Sequence, residues 1–325
     1  MASPNSTFDD IFTTTLYNRR KKLADNITNN VALLNYLNRR GNAEPVPGGY
    51  KIVEEIKYQG PGNYTRYSGY DTLDISQQQM LTAAEFDWKQ AAVAVTMSGL
   101  DELRNSGPEA VIRLMAARID AAESEFMNNL STDIYSNGTA SGGKQINGLQ
   151  SLVADAGTGT VGGIDSSTYT WWQNQVYDFS ANGVAAGPAT IQTAMNTLFL
   201  DCSRNSDRPD LIVADNTYFR YYWESLQAIQ RLTDANSRSA SAGFRGLDFM
   251  GADVLFDGGL DGAAPSAHMY FLNTRYLHWR PHRERNMVPL NPDRYATNQD
   301  ARVRLIAWAG NMTVSARKLQ GVIVA

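Results

Sequence analysis

Residues 49 to 79 alternate in a pattern that a compact core has little use for. In "YKIVEEIKYQ", Ile52, Ile56 and Tyr58 mark one face and Glu54 interrupts it, while Lys51, Val53, Glu55 and Lys57 take the other. "GPGNYTRYSGY" (Gly60 to Tyr70) then supplies the Pro, Gly and Asn of a loop tip, and "DTLDISQQQ" returns with Leu73 and Ile75 alternating. Two strands around a Gly-Pro-Gly-Asn tip predict a long β-hairpin whose faces are both too polar for a core. Such a hairpin leaves strand edges unpaired unless it lies on another surface, so it implies a partner. The tip carries Tyr58, Pro61, Asn63, Tyr64, Arg66, Tyr67 and Tyr70. Tyr and Arg concentrate at interfaces, which makes these seven residues the candidate contacts. The plainer reading is a solvated loop with incidental tyrosines.

A second constraint follows directly. Ser106-Gly107-Pro108-Glu109 spaces a hydroxyl and a carboxylate three apart with Pro in the first turn, a helix-start signature. Val111, Met115, Ile119, Ala122, Phe126, Leu130 and Ile134 then recur every three or four residues. The expected helix covers roughly residues 107 to 135, about 40 Å at 1.5 Å per residue. Its one apolar stripe and acidic opposite face suit a strut. Beyond it lies the glycine-rich joint "GTASGGKQ" (Gly138 to Gln145), in which Gly138, Gly142 and Gly143 are candidate hinge residues.

Ahead of the hairpin, residues 1–48 are polar and irregular, with a basic stretch "YNRRKKLADN", and read as an arm. After the joint, "PATIQTAMNTLFLDCSR" carries Ile191, Met195, Leu198, Phe199 and Cys202 at helical spacing. "RPDLIVADN" reads as a short buried strand, "TYFRYYWESLQAIQRL" as an aromatic helix and "FRGLDFMGADVLFDGG" as strands. Together they predict a mixed α/β unit over residues 145–265. In the last sixty residues, "AHMYFLNTRYLHWRPH" reads as one strand and "ARVRLIAWAGNMTVSARKLQGVIVA" as a hairpin turning at Gly310-Asn311. The expected organisation is 1–48, 49–98, 99–144, 145–265 and 266–325.

Composition narrows the class. Hydrophobic residues make up 43% of the 325-residue chain, enough for a substantial core. With 29 basic and 33 acidic side chains, the net charge of −4 argues against a dedicated nucleic-acid binder, though not against a protein that encloses nucleic acid. A single cysteine, Cys202, precludes an intrachain disulfide and reads as a small buried hydrophobe. The start "MASPNSTFDDIFTTT" lacks a secretory signal, and no apolar run is long enough to span a bilayer. The sequons at Asn5, Asn26, Asn63, Asn129, Asn137 and Asn311 are then incidental.

No catalytic constellation emerges. Gly138, Gly143 and Lys144 match part of a phosphate-binding loop, but that motif needs a preceding strand, a following helix and a Ser or Thr after the Lys. Here a helix precedes, Gln145 replaces the hydroxyl, and Gly148 is a poor helix start. Asp215 at the end of "LIVAD" is better explained as the N-cap of the next helix. Ser141 with Lys144 and Ser315 with Lys318 share an acyl-transfer spacing but sit in a loop and a strand. His278 and His282 are four apart with Pro281 between them, which breaks the helix a metal pair would need. Asp71/Asp74 and Asp257/Asp261 read as turn-formers. Catalytic, cofactor and metal residues are therefore all expected to be none. Arg280, Arg283, Arg285 and Arg294 suit surface charge, inter-subunit ion pairs or contacts to an anionic interior.

The order of parts carries a resemblance. Arm, projecting hairpin, long helix, glycine-rich joint, α/β unit and closing β region run in the order of the major capsid proteins of tailed bacteriophages, the Hong Kong 97-like family. Local stretches are similar too: "VGGIDSSTYTWWQNQV", "RPDLIVADNTYFRYY" and "YFLNTRYLHWRP" leading into "DARVRLIAWAGNMTV". The resemblance covers essentially the whole chain and implies an α+β Hong Kong 97-like fold, with an N-arm, an E-loop, a peripheral domain with its spine helix, and an axial domain. It implies self-assembly into pentamers and hexamers of an icosahedral shell around double-stranded DNA, each E-loop lying across a neighbour. Assembly would occur in the bacterial cytoplasm, leaving the chain in the virion. Implied partners are the chain itself, a portal, decoration proteins and, since no long charged N-terminal extension is present, a separate scaffolding protein or none. Lys51 and Lys57 lie in the hairpin, but nothing identifies an Asn to which they would crosslink. An encapsulin-type compartment of the same fold and a nucleotide-dependent enzyme using the Gly138–Lys144 loop are the alternatives.

Overall fold

The computed structural model describes residues 31–73, 75–76, 78–100, 108–226, 247–263, 267–290, 294–295 and 301–325. The basic arm stretch, the Ser106 end of the helix-start signature and the expected continuation of the aromatic helix past residue 226 lie outside them.

Helix α1 (Ala32–Arg40) buries Ala32, Leu33, Leu34 and Leu37 and stops at Gly41, whose φ of 79° lets its amide reach back to the carbonyls of Asn38 and Leu37. Strand β1 (Ile52–Lys57) then pairs antiparallel with β2 (Leu81–Phe86), in register from Ile52 opposite Phe86 to Lys57 opposite Leu81. The returning strand is thus β2, not residues 71–79; between the two strands, no described residue from 58 to 80 belongs to a strand. Alternation alone did not suffice there, because Ile75 remains 89% exposed with no face to cover it. The reading of two polar faces also needs correction. Ile52, Glu54 and Ile56 all point inward on β1, and Glu54 is buried with the apolar pair.

Strand β3 (Lys89–Ser98) follows at once. Helix α2 (Pro108–Asp133) is 26 residues long and, with Ile134 just beyond, buries Ile119, Ala122, Phe126 and Leu130 along one stripe, as the periodicity predicts from Ile119 onward; the side chains of Val111 and Met115 lie outside the described residues. Short strands β4 (Thr160–Val161) and β5 (Ile164–Asp165) form a small hairpin, and β6 (Gln175–Asp178) follows. Helix α3 (Ile191–Asp201) buries Ile191, Met195, Leu198 and Phe199, with Cys202 fully buried at its end. Strand β7 (Leu211–Ala214) leads into helix α4 (Asn216–Ser225), and Asp215 caps it by accepting from the Tyr218 amide at 2.8 Å. The predicted N-cap role is therefore the observed one.

Strands β8 (Leu247–Phe249) and β9 (Ala252–Phe256) precede the short helix α5 (Gly258–Ala263). The run expected as one strand is two: β10 (His268–Leu272) and β11 (Leu277–Pro281), split by a 3-10 turn at Thr274–Tyr276 that Asn273 caps by accepting from the Arg275 amide. After β12 (Val288–Pro289) and β13 (Arg294–Tyr295), β14 (Ala301–Val314) runs 14 residues without a break. The hairpin expected at Gly310-Asn311 is absent; Gly310 is there because a side chain would strike the Arg280 carbonyl at 2.7 Å. Strand β15 (Gly321–Val324) ends the fold.

Two large sheets result. The first is ordered β6-β15-β10-β7-β9-β8, and takes strands from both sides of the division expected at residue 265. Its strand β7, "LIVA", is buried at every position because each sheet face covers a different core. Leu211, Val213, Tyr270, Leu272, Val322 and Val324 join the core shared with α1, α2 and the hairpin root, whereas Ile212, Ala214, Met269, Phe271 and Ile323 join the core under α3 and α4. In the second sheet β14 is central. Ten of its residues pair with β3 on one side, and β13, β12 and β11 succeed one another on the opposite side.

Candidate functional site

The predicted contact residues divide into an anchored root and an exposed tip. Tyr64, Tyr67 and Tyr70 are 83%, 66% and 106% exposed, and Pro61 and Arg66 are exposed beside them, with Asn63 half-buried. Tyr58 does not belong with them. Its ring stacks on Trp171 at 5.2 Å, and its hydroxyl donates to the Gln79 carbonyl at 2.7 Å. Gln59 donates to the same carbonyl at 2.8 Å, so the two limbs of the loop are clipped together where they leave the body.

The root itself is gripped from two directions. On one side the β4–β5 hairpin lies against β2: the Glu85 amide donates to the Gly162 carbonyl at 2.9 Å. Gly162 has φ +61°, and a Cβ there would sit 2.6 Å from that of Ala84, so only glycine fits. Tyr58, Gln79, Thr82, Glu85, Tyr169 and Trp171 border an open cleft of about 490 Å³ above this junction. On the other side Arg280 of β11 donates through Nε and Nη2 to Glu54 of β1, at 2.8 and 3.3 Å, and through Nη1 to Glu44 at 2.6 Å. Thr313 of β14 donates to the same Glu54 carboxylate at 2.8 Å. Burial alone would lower the Arg280 pKa, but its two carboxylate partners outweigh that and raise it.

The joint after α2 is stitched to its surroundings. Ser141, Gly142 and Gly143 all take positive φ, at 55°, 69° and 78°. Lys89 donates its ammonium to the Gly143 carbonyl. Gln145 donates to the Asp133 side chain at 2.7 Å, the Leu149 amide to the Ile134 carbonyl at 2.7 Å, and the Asn147 amide to buried Asn311 at 2.9 Å. Gly148 lies so close to the end of α2 that a Cβ would meet the Ser136 backbone at 2.4 Å. Residues 139–144 thus form a surface excursion between Gly138 and a firmly attached Ile146. Lys144 is exposed, a helix precedes it, and only a single turn, Leu149–Leu152, follows. That arrangement lacks the strand-to-helix frame of a phosphate loop.

Three buried polar groups escaped the sequence reading. Arg317 is fully buried and donates to the Leu152 carbonyl at 2.7 Å, the Ser166 hydroxyl at 2.9 Å and the Trp172 carbonyl at 3.4 Å. Burial depresses its pKa to about 10. Tyr135, at the end of α2, donates to Asp257 at 2.7 Å, and His268 of β10 stands 3.0 Å from Asp155. Each joins the first sheet to the segment around the joint. Only His268 stands beside an apolar run; the polar neighbours of Tyr135 and Arg317 give no such signal, and one chain does not show which distant group completes any of the three. His278 and His282 lie four positions apart on extended chain, about 13 Å at 3.3 Å per residue, and the His282 ring packs edge-on to Trp88. Among the described residues no three His, Cys, Asp or Glu side chains gather as a metal site would require, and no helix is long and apolar enough to cross a membrane.

No family profile matches the sequence, and no curated protein is significantly similar to it. Solved structures are. The fold is similar to the capsid asymmetric unit of cyanophage A-1(L), at 14% identity and a TM-score of 0.57, over 87% of this chain and 89% of that one. A capsid subunit of a native gene-transfer-agent particle gives 13% identity and 0.57 over 88% and 89%. A chain of Mycobacterium phage Bobi gives 11% and 0.54 over 88% and 89%. The chain has the α+β Hong Kong 97-like capsid fold.

Proposed function

We propose that this chain is a major capsid protein, which assembles through pentamers and hexamers into an icosahedral shell around double-stranded DNA. One observation carries the reading: the similarity to capsid subunits runs over nearly nine-tenths of both chains. The physical layout supports it. The candidate contacts sit on an exposed loop whose root is rigidly fixed, the arrangement expected of an arm that reaches a neighbour. A net charge of −4 would let an enclosed polyanion move freely along the wall.

In this reading Pro61, Asn63, Tyr64, Arg66, Tyr67 and Tyr70 meet an adjacent copy, with Tyr58 as the fixed base. Gly138, Gly142 and Gly143 let the joint excursion adapt among shell positions. The chain resides in the virion after assembly in the host cytoplasm, and a scaffolding protein, a portal and decoration proteins are its further partners. It acts as a structural protein without catalytic, cofactor or metal residues.

Negative-stain microscopy and gel filtration of the expressed chain test this. Closed particles or capsomers are expected, with DNA inside those recovered from infected or induced cells. Monomers under every condition, scaffold included, would overturn it. A protein cargo without DNA would instead favour an encapsulin-type compartment.

A further inference from the structure

Three asparagines in this chain precede a glycine: Asn137, Asn147 and Asn182. In such a pair the main-chain nitrogen of the glycine can attack the side-chain amide before it, because no Cβ shields the approach. Asn137 lies exposed just past the end of α2. Its Oδ1 accepts twice from one residue, from the Thr139 amide at 3.1 Å and from the Thr139 hydroxyl at 2.7 Å. The first bond makes an Asx-turn, and the ring that it closes contains the Gly138 nitrogen, so the side-chain carbonyl is folded back over its own attacker. Two donors on that oxygen stabilise the negative charge that develops as a nucleophile adds to Cγ, the role of an oxyanion hole. Among the described residues none accepts from Nδ2, the amine that has to leave. The Gly138 N–H makes only a long bond of 3.3 Å to the Ser136 hydroxyl, so its proton is loosely held.

The other two pairs are held against the same step. Asn182 is also exposed, but its Nδ2 donates to the Asp178 carbonyl at 2.6 Å and the Gly183 amide donates to the Ser180 carbonyl at 3.1 Å. Leaving group and nucleophile are both engaged there. Asn147 is half-buried, with its amide bonded to the Asn311 side chain at 2.9 Å. Gly148 is buried against the Ser136 backbone, where a Cβ would sit at 2.4 Å, so the main chain has no room to turn and present its nitrogen.

We propose that Asn137 is a site of spontaneous deamidation in the folded protein. The Gly138 nitrogen bonds to Asn137 Cγ, the Cγ–Nδ2 bond breaks, and Nδ2 departs as ammonia with the proton from Gly138. One water then opens the cyclic imide at either carbonyl, leaving aspartate or β-linked isoaspartate at position 137. Either product adds a negative charge. The β-linked product also adds a methylene to the main chain, just where the surface excursion of residues 139–144 begins. The joint therefore changes covalently with age, without an enzyme and independently of the shell reading.

Peptide mapping by mass spectrometry tests this on the full-length chain, incubated folded near neutral pH beside a sample unfolded in urea. In the unfolded sample all three pairs should convert, since local sequence alone then sets the rate. In the folded chain Asn137 should convert at least as fast as it does unfolded, giving separate aspartate and isoaspartate peaks. Asn147 and Asn182 should convert at least about tenfold more slowly folded than unfolded, because their reacting atoms are held apart. Thr139→Val removes the hydroxyl donor and should slow conversion of Asn137 by about tenfold, and Thr139→Ser should restore it. An Asn137 that stays intact in the folded chain, or equal rates at all three sites, overturns the proposal. So does a Thr139→Val variant that converts as fast as wild type.

Discussion

Arg280 on β11 and Glu54 on β1, 226 positions apart in sequence, share two hydrogen bonds at 2.8 and 3.3 Å, and Glu54 also accepts from Thr313. The side chains are 16% and 9% exposed, so the pair is nearly dry. A projecting hairpin needs a root that does not pivot, and a two-pronged bond between planar groups fixes orientation as well as distance. Removing Glu54 leaves Arg280 with only the more exposed Glu44 as a carboxylate partner and leaves the Thr313 hydroxyl without its acceptor. Glu54→Ala should lower unfolding free energy by about 1–3 kcal/mol in urea titrations, and Glu54→Gln by less, since its carbonyl still accepts. Equal, near-zero losses for both would show that the pair does not hold the root.

Arg317 presents the opposite case, a buried cation with no carboxylate partner among the described residues. Its hydrogen bonds go to Leu152, Ser166 and Trp172, and it draws together the segment after the joint and the one carrying the tryptophans. Arg317→Met keeps the volume and removes the buried charge, but leaves those acceptors unpaired at about 1–3 kcal/mol each. Arg317→Lys keeps the charge without the planar fork that reaches several acceptors. Both variants should unfold at clearly lower urea concentration than wild type. A Lys variant as stable as wild type would mean that charge alone, and not the fork, is what the site requires.

Order of parts was legible in the sequence because it depends on local signals. The α2 stripe of Ile119, Ala122, Phe126 and Leu130, the Asp215 cap and the α3 core residues all follow from spacing along a few turns. Pairing was less legible. Leu73 and Ile75 alternate as well as Ile52 and Ile56 do, but only the second pair finds a core, which is a fact about distant chain. Gly310-Asn311 has the composition of a turn, yet Gly310 serves close packing against β11, and Asn311 holds the Asp87 carbonyl at 2.9 Å and the Asn147 amide. Glu54 was read as an interruption because its partner lies 226 residues away. Buried polar residues are the least readable from one sequence, since their meaning rests on the group that completes them.

Two glycines with similar backbone angles should respond differently to the same change. Gly142 has φ +69° and open space where a side chain would go, so Gly142→Ala costs only the left-handed conformation, about 1–2 kcal/mol. Gly162, at φ +61°, would in addition drive a Cβ to 2.6 Å from Ala84 and push the β4–β5 hairpin off β2. Gly162→Ala should cost at least about 1–3 kcal/mol more, the usual range for overpacking. Calorimetry of both variants checks the difference. Similar melting points would show that the hairpin yields without cost.

Two acids should give the chain opposing pH dependence. Burial raises the Asp257 pKa despite donation from Tyr135 and from the Gly259, Leu33 and Ala32 amides. Its neutral form therefore suits the fold, and the stability it contributes is full below the unfolded value of about 3.9 and lost as pH rises through the higher folded value. Burial pushes Asp155 the same way, but the His268 ring 3.0 Å away and a bond from Gln150 outweigh it and lower its pKa. Its contribution is present above about 3.9 and lost as pH falls through the lower folded value. Relative to wild type, Asp257→Asn should gain stability between pH 4 and pH 7, whereas Asp155→Asn should lose most near neutrality and recover toward wild type in acid. Urea unfolding at pH 3, 4, 5.5 and 7 separates the two slopes. Parallel curves for Asp257→Asn and wild type would mean that the Tyr135 and backbone donors cancel the cost of burying that carboxylate.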